Sequence, residues 1–376
     1  MKKYIFLLLI IISVSCKSYR DFLSVETLHV INAQDSIIDG LYVNGEIDGV
    51  KAKLIFDTGA TRSVLNDINL IGGKGILNAD NHKALNKVKG VEGIEFSLLQ
   101  YKTKSFSINT FKSKNKYLFV FNQQQIHNCN SKLNVKNGIL GLDAFYNSET
   151  PVLLDYENNT IKILDSIPEM SNYANIDTII KNNRIVLISE INNKKIELLF
   201  DTGNSGYVLL SESHFNTEAD EIIESISLTA NNTLRFPTQE LYFNKSIDIG
   251  GINDSHNYIT VIDDFKSNGV GLQFINQYNW IIDFKNKKLY AKKIKDYPGS
   301  NLKKLINHVK YISIEFNNEL IIAHKQDPSN RFQIGAIIIS VNNIKVTKEN
   351  ICEIQDMLNK EKDWSIFKIE TSPRME

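Results

Sequence analysis

Short apolar runs, broken by Gly, Asn and Asp, follow one another along most of this chain. Residues 40–45 and 50–56 are two such runs, and few segments show the spacing of an amphipathic helix. Runs of this length between turn residues are typical of β-strands. The turn candidates between later apolar runs are Asn158-Asn159, Asn192-Asn193 and Asn286 followed by Lys287-Lys288. The pattern predicts a mainly β fold.

One phrase occurs twice. Residues 54–60 are Leu-Ile-Phe-Asp-Thr-Gly-Ala, and residues 198–204 are Leu-Leu-Phe-Asp-Thr-Gly-Asn. Each apolar run predicts a buried strand, and the glycine permits a sharp turn after Asp-Thr. Because a carboxylate at the end of a buried strand is costly, two of them suggest that Asp57 and Asp201 face each other and share a proton.

A second phrase is also duplicated, in the same order. Residues 137–142, Asn-Gly-Ile-Leu-Gly-Leu, precede Val-Leu-Leu-Asp-Tyr-Glu-Asn at 152–158. Their counterparts are Asn-Gly-Val-Gly-Leu at 268–272 and Trp-Ile-Ile-Asp-Phe-Lys-Asn at 280–286. A period of about 130 to 145 residues is far longer than solenoid repeats and predicts a duplicated domain.

Composition narrows the class of protein. With 376 residues, 42% of them hydrophobic, the chain is long enough for two or three packed domains and too apolar to be disordered. Lys plus Arg equals Asp plus Glu at 43 each, so whole-chain charge gives no reason to expect nucleic acid or an acidic partner. The Cys and His spacing suggests no metal site, and no cofactor is expected. A disulfide between Cys129 and Cys352 is possible, but we expect none because the two are far apart and in different predicted domains.

The N-terminus has the features of an export signal. A basic head, the eight apolar residues 5–12 and a small-residue end precede Cys16. Eight apolar residues are too few to span a bilayer. Residues 1–15 resemble a bacterial lipoprotein signal, which would make Cys16 the lipidated N-terminus, followed by a tether at 16–35. The alternative is an ordinary cleaved signal with an incidental cysteine.

The duplicated phrases resemble those of the pepsin-like and retropepsin-like aspartic peptidases, over about residues 36–295. The resemblance implies a mainly β fold of two homologous six-stranded acid-protease β-barrel lobes, at 36–168 and 169–297. The active site would lie between the lobes, with Asp57 and Asp201 as the catalytic dyad.

The resemblance also implies supporting roles. The hydroxyls of Thr58 and Thr202 would hydrogen-bond across the lobe interface. The other residues expected to support the catalytic loops are Gly59, Ala60, Gly203, Asn204, Gly141 and Gly271. Ala60 fits the family pattern, whereas Asn204 departs from it and is expected to alter the hydrogen bonding of Asp201.

Two further features concern a flap and the hairpin turns of the two lobes. A flap hairpin is expected around residues 88–98, with Gly90 and Gly93 as turn residues. Asp155 and Asp283 each precede an aromatic residue and an Asn-containing turn, so we interpret them as hairpin-turn residues and not as additional acids.

The C-terminal part, residues 300–374, resembles a PDZ domain. Residues 333–346 match its strand-turn-strand, and residues 348–358 predict a helix with apolar Ile351, Ile354 and Leu358. The carboxylate-binding loop would fall at 311–314, which lacks Gly, and Ala336 stands where Asp is usual. The module therefore either binds peptides or packs against the lobes.

These features lead to one main hypothesis, a monomeric aspartic endopeptidase that is lipid-anchored in the bacterial cell envelope, on the periplasm-facing side or the cell surface. Its partners would be peptide or protein substrates and, through Cys16, the membrane. The alternative is a catalytically inactive lipoprotein that binds peptides with the cleft and the PDZ-like module. In that case each Asp-Thr-Gly persists only as a capped turn. A glycan-binding lipoprotein rests on the β-rich pattern alone.

Overall fold

The chain forms a mainly β structure, as the apolar pattern predicts. This computed structural model describes residues 24–25, 41–65, 86–89, 95–108, 111–113, 117–121, 129, 138–145, 151–228, 234–262, 265–295, 310–326, 331–361 and 363–373. The predicted signal 1–15, Cys16, Gly90 and Gly93 lie outside the described residues.

The strands are numbered in chain order. The first half contains β1 (Ser24–Val25), β2 (Tyr42–Ile47), β3 (Val50–Phe56), β4 (Val64–Leu65), β5 (Asn86–Lys89), β6 (Glu95–Lys102), β7 (Phe106–Ile108), β8 (Phe111–Ser113), β9 (Tyr117–Phe121), β10 (Gly138–Leu140), β11 (Val152–Asp155) and β12 (Thr160–Ile163). The second half contains β13 (Ala174–Ile176), β14 (Thr178–Lys181), β15 (Arg184–Ile191), β16 (Lys194–Phe200), β17 (Val208–Leu210), β18 (Glu221–Ser225), β19 (Ser227–Leu228), β20 (Leu234–Arg235), β21 (Thr238–Phe243), β22 (Ile247–Ile249), β23 (Ile252–Asp254), β24 (Tyr258–Ile262), β25 (Gly269–Val270), β26 (Tyr278–Asp283) and β27 (Lys288–Lys293).

The C-terminal module follows. Its strands are β28 (Tyr311–Phe316), β29 (Glu319–Lys325), β30 (Ile337–Val341), β31 (Ile344–Lys345) and β32 (Ile369–Ser372). The helices are α1 (Leu272–Ile275), in the second half, and α2 (Ile351–Lys360), in the module, with 3-10 turns at Leu142–Ala144 and Trp364–Ile366. Neither helix in the described part of the chain has the length and apolar composition that crossing a membrane requires.

The two halves repeat one strand order. The first-half sheet runs β5-β6-β9-β4-β10-β3-β2-β7-β8. The second-half strands run β18-β21-β24-β17-β25-β16-β15-β22-β23, so each has a counterpart at the same place. In both halves the strand that leads into Asp-Thr-Gly, β3 or β16, pairs in parallel with β10 or β25. The duplication in sequence therefore corresponds to a duplication in strand order.

A six-stranded sheet connects the halves. Its order is β1-β12-β11-β26-β27-β13, and β11 pairs antiparallel with β26, with Leu153 opposite Ile281. Ser24 and Val25 join its edge by pairing with β12. Two residues of the predicted tether at 16–35 therefore belong to a sheet.

Paired asparagines close several hairpins. Asn192 and Asn193, between β15 and β16, have φ angles of 50° and 61°. Asn-Asn pairs with positive φ also join β14 to β15, β28 to β29 and β30 to β31. Two successive residues in the left-handed region form the tight turn that suits the twist of a hairpin, and Asn tolerates this conformation well. The turn predicted at Asn192-Asn193 is confirmed.

The C-terminal module packs around its own core, which includes Tyr311, Leu358 and Trp364. Its predicted helix is present, although α2 begins at Ile351 and not at 348. Ile351, Ile354 and Leu358 are buried as expected. The module also continues the second-half sheet, because β29 pairs with the edge strand β18.

Cys129 and Cys352 form a disulfide, so the expectation that they remain unpaired is wrong. The Cys129 side chain packs against the core of the C-terminal module, next to Cys352 on α2. Separation in sequence does not prevent pairing where the fold brings two cysteines together. The bond ties the first half to a module whose sheet already continues the second half.

Candidate active site

Asp57 and Asp201 occupy equivalent positions at the ends of two buried strands. β3 ends at Phe56 and β16 at Phe200, both fully buried. The backbone N–H of Asp57 donates to the carbonyl of Leu140 at 3.0 Å, and that of Asp201 donates to Val270 at 3.0 Å. The adjacent strand of each half therefore fixes the point at which the aspartate leaves the sheet.

The two carboxyl groups lie next to each other, close enough to share a hydrogen bond. Gly59 and Gly203 make this approach possible. A Cβ atom at Gly59 would lie 2.5 Å from Cγ of Asp201, and one at Gly203 would lie 2.5 Å from Cγ of Asp57. No side chain fits at such a distance, so both positions require glycine.

Each carboxyl also accepts hydrogen bonds from its own loop. Oδ1 of Asp57 accepts from the N–H of Gly59 at 2.8 Å and of Ala60 at 3.0 Å. Oδ1 of Asp201 accepts from Gly203 N–H at 2.8 Å, and the Asn204 N–H also donates to this carboxyl. Such donors favour the charged form of a carboxyl group.

Burial opposes these donors. Both aspartates keep part of their surface exposed, but protein surrounds the carboxyls on most sides. Burial, the charge of Asp57 and the hydrogen bond to it raise the pKa of Asp201 well above its usual value. Burial also raises the pKa of Asp57, against the hydrogen bonds from Asp201, Ala60 and Gly59. Two close carboxyls that cannot both ionise hold one proton between them.

Thr58 and Thr202 cross-link the two loops. The hydroxyl of Thr58 donates to the carbonyl of Phe200 at 2.6 Å and accepts from the N–H of Thr202 at 3.0 Å. The hydroxyl of Thr202 donates to Phe56 at 2.7 Å and accepts from the N–H of Thr58 at 3.0 Å. Both threonines are 0% exposed. The predicted hydrogen bonds across the interface are present and reciprocal.

We expect Thr58→Val to lower the free energy of unfolding by about 3 kcal/mol, because it leaves one buried carbonyl and one buried N–H unpaired. Urea unfolding at 25 °C measures the change. Thr238→Val is the matched control, since Thr238 is exposed on β21, and its effect should stay within about 0.5 kcal/mol. Equal stability of the two variants would contradict the cross-link.

Gly141 and Gly271 lie directly behind the two loops. A Cβ at Gly141 would come within 2.6 Å of the backbone of Arg62, and one at Gly271 within 2.4 Å of the carbonyl of Gly206. The next residue in each phrase donates its N–H to the loop, Leu142 to Ala60 at 3.0 Å and Leu272 to Asn204 at 2.8 Å. The second phrase therefore lies against the aspartate loop in each half.

The Asn204 side chain does not reach Asp201, contrary to expectation. Its Oδ1 accepts from the N–H of Gly206 at 2.8 Å, within its own loop. Asn204 still donates its backbone N–H to Asp201, as Ala60 does to Asp57. The departure from the family pattern leaves the hydrogen bonding of this carboxyl intact.

Ser63 belongs to the site but was not among the residues predicted from the sequence. This residue is 1% exposed, and its hydroxyl accepts from the N–H of Gly141 at 3.1 Å and donates to Asp143 at 2.7 Å. It connects the Asp57 loop to the second phrase of the first half. The signal that could have found it is its place before Val64-Leu65, where the run after Asp-Thr-Gly becomes apolar again.

The segment expected to form a flap contains two antiparallel strands. β5 and β6 pair antiparallel, with Val88 opposite Phe96 and Asn86 opposite Leu98. In the second half, β18 and β21 form the corresponding pair. Gly90 and Gly93, the predicted turn residues, lie outside the described residues.

Asp155 and Asp283 lie at hairpin turns, as predicted. Oδ1 of Asp155 accepts from the N–H of Asn158 at 3.1 Å, and Oδ1 of Asp283 accepts from that of Asn286 at 3.0 Å. Neither belongs to the aspartate pair. No three His, Cys, Asp or Glu side chains of the described residues come together as a possible metal site.

In the C-terminal module, residues 311–314 are part of β28 and do not form an open loop. Asn359, at the end of α2, covers the edge of this strand. Its Oδ1 accepts from the N–H of Ser313 at 2.8 Å, and its Nδ2 donates to the Ser313 carbonyl at 2.8 Å. A peptide added to the sheet at this edge would need the same two backbone groups.

Comparisons with known proteins do not assign the chain to a family. No protein-family model matches it, and no curated protein matches it in sequence.

Proposed function

We propose that the protein is an aspartic-type endopeptidase with Asp57 and Asp201 as its catalytic groups. The observation that carries the proposal is the hydrogen-bonded carboxyl pair, contributed by two halves with the same strand order. Two carboxyls that share a proton supply a base and an acid at one point. A purely structural turn needs only a carboxylate capped by its own loop, not one that meets a second carboxyl across an interface.

The pair would hydrolyse a peptide bond with a water molecule as nucleophile. The charged carboxyl takes a proton from water as its oxygen attacks the carbonyl carbon, and the protonated carboxyl donates its proton to the carbonyl oxygen. When the C–N bond breaks, the protonated carboxyl gives its proton to the amine nitrogen, and the other carboxyl takes a proton from a hydroxyl of the tetrahedral intermediate as the C=O bond re-forms. The cycle leaves the pair with one proton, as it began. The base and acid roles belong to the pair because its members titrate together.

For the fold, we propose two homologous acid-protease lobes at 36–168 and 169–297. The repeated strand order and the reciprocal Thr58 and Thr202 hydrogen bonds support this arrangement. The β5–β6 hairpin would serve as the flap. Residues 300–374 would form a PDZ-like domain that packs against the lobes, because Asn359 already occupies the Ser313 edge.

For location, we propose the bacterial cell envelope, with Cys16 as a lipid anchor. The protein would face either the periplasm or the cell surface. The proposal rests on the export-signal pattern of residues 1–16. Both halves of the dyad come from one chain, which supports a monomer.

The test is cleavage of a mixed peptide library by the protein without residues 1–16, from acid to neutral pH. Defined cleavage sites that disappear in the Asp57→Asn and Asp201→Asn variants would support an aspartic endopeptidase. Folded protein that cuts nothing at any pH would refute it and favour the peptide-binding alternative.

We expect activity to fall as pH rises. Catalysis needs one proton on the pair, and the pKa of Asp201 is raised well above the usual carboxyl range of about 4, so the proton is retained beyond that range and lost at higher pH. At the acid end, activity falls when the second carboxyl takes up a proton. A kcat/KM profile on one fluorogenic peptide measures both limbs. Activity that keeps rising through pH 9 would contradict this assignment.

A further inference from the structure

A cavity of about 670 Å³ is lined by residues of both halves, some of which are close in sequence to the two aspartates. On one side it is lined by Thr61, four residues after Asp57. On the other it is lined by β14, β15 and β16, and Glu197 of β16 precedes Asp201 by four residues. Four residues of extended chain span about 13 Å. A substrate peptide held at the pair therefore reaches this cavity within about four residues of the bond to be cut.

The strand register orders the residues along the cavity. Lys181 lies opposite Arg184 at the tip of the β14–β15 hairpin. Ile179 lies opposite Val186, two residues further from the tip on each strand. Directly opposite residues of an antiparallel pair share a face, with Cβ atoms about 5 Å apart. The cavity wall thus has a row of two cations followed by a row of two aliphatic side chains.

The cationic row is at the end nearer the aspartates. Val186 pairs with Leu199, so Arg184, two residues earlier in β15, lies toward the end of β16 that leads into Asp201. Glu197 lies at the other end, opposite Ile188. The cations and the acid are therefore separated along the wall.

The charged groups of Lys181 and Arg184 have no partner within the described part of the chain. Lys181 and Arg184 are exposed, and neither side chain forms an ion pair or hydrogen bond with any residue that the structure describes. Two adjacent positive charges that no described carboxylate pairs with favour an anionic group between them. Although the whole chain has a formal net charge of zero, the part of the cavity wall around Lys181 and Arg184 is basic.

We propose that this cavity is a specificity subsite that binds an Asp or Glu side chain of the substrate, within about four residues of the cleaved bond. Lys181 and Arg184 bind the carboxylate, and Ile179 and Val186 contact an adjacent apolar part of the peptide. Glu197 repels a substrate carboxylate that lies at its own end of the cavity, away from Lys181 and Arg184. The inference rests on the proposed peptidase function and adds the class of substrate.

The test uses paired peptides that differ only by Glu or Gln at each position from four residues before to four residues after the cleavage site. We expect the parent protein to prefer Glu over Gln at one position by about tenfold, equivalent to about 1.4 kcal/mol. The double variant Lys181→Met with Arg184→Met should lose this preference. Glu197→Gln should keep or increase it.

The matched control is Lys194→Met with Lys195→Met, which removes the same two charges from the opposite end of β15 and β16. It should leave the Glu preference unchanged. Equal cleavage of Glu and Gln peptides by the parent, or a preference that survives in the Lys181 and Arg184 double variant, would overturn the subsite.

A binding measurement separates this inference from the proposed function. Fluorescence anisotropy of the labelled Glu and Gln peptides is recorded with the Asp57→Asn and Asp201→Asn double variant, which needs no cleavage. Glu-selective binding without cleavage by the parent would support the subsite and refute the peptidase. Cleavage with no Glu preference in either assay would do the reverse.

Discussion

Asp57→Asn and Asp201→Asn should each lower the rate of peptide hydrolysis by about 10⁴-fold or more, because either change leaves the pair without its exchangeable proton or its base. The two losses should not add in the double variant, since the carboxyls act as one unit. Single-turnover cleavage of one peptide chosen from the library measures all three variants. Retention of a tenth of the parent rate by either single variant would rule out the dyad.

Stability distinguishes a lost catalytic group from a lost fold. Because burial and the charge of Asp57 raise the pKa of Asp201, the folded protein binds more protons than the unfolded chain above the ordinary carboxyl pKa. This linkage weakens the fold as pH rises through the window between the ordinary and the raised pKa. Asp201→Asn removes it, so the variant should be inactive and yet more stable than the parent at pH 7.

Asp155→Asn is the matched control. Burial acts against the charged form of Asp155, but the hydrogen bonds from Lys162 and Asn158 outweigh it and lower the pKa. A group with a lowered pKa adds stability above its unfolded value. This variant should therefore lose about 2 kcal/mol of stability at pH 7 and keep its activity. The two substitutions should change activity and stability in opposite ways.

The repeated phrases account for most of what the sequence predicts at the site. Asp57 and Asp201 follow apolar runs that form buried strands, and Gly59 and Gly203 occur where the opposing carboxyl excludes a side chain. These features are local, so the sequence shows them directly. The tight Asn-Asn turns are predictable for the same reason, since Asn tolerates the left-handed region that they need.

Contacts between segments that are distant in the chain could not be predicted from such local sequence features. Cys129 and Cys352 are separated by 223 residues, and nothing near either one indicates the other. The pairing of β18 with β29 and the contact of Asn359 with Ser313 likewise depend on how the module docks. Asn204 shows the same limit at short range, because the sequence could not predict that its side chain turns toward Gly206.

The C-terminal module has two attachments of different kinds, which make its role testable. Toward the second half, Lys325 of β29 forms an ion pair with Glu224 of β18 at 3.3 Å, and the N–H of Ile226 donates to Ala323 at 2.6 Å. Toward the first half, the covalent bond between Cys129 and Cys352 is one attachment that the structure describes. Reduction of the disulfide should release the attachment to the first half and leave the pairing of β29 with β18 intact.

Removal of the disulfide should produce the largest loss of stability. In the chain-entropy view, a cross-link that closes a loop of 223 residues contributes about 5 kcal/mol by restricting the unfolded chain. We expect the double variant Cys129→Ser with Cys352→Ser to lose about that much in free energy of unfolding. Urea titration followed by the fluorescence of Trp280 and Trp364, buried in the second half and the module, measures it.

Dithiothreitol provides the control for this prediction. It should destabilise the parent to the level of the double variant and have no effect on the variant itself, which has lost the cross-link. Peptide hydrolysis at 25 °C should survive in both, because the hydrogen bonds that hold Asp57 and Asp201 together come from the two halves alone. A parent whose unfolding is unchanged by the reductant would contradict the role of this bond. Loss of hydrolysis in a variant that remains folded would instead show that the module positions the catalytic pair.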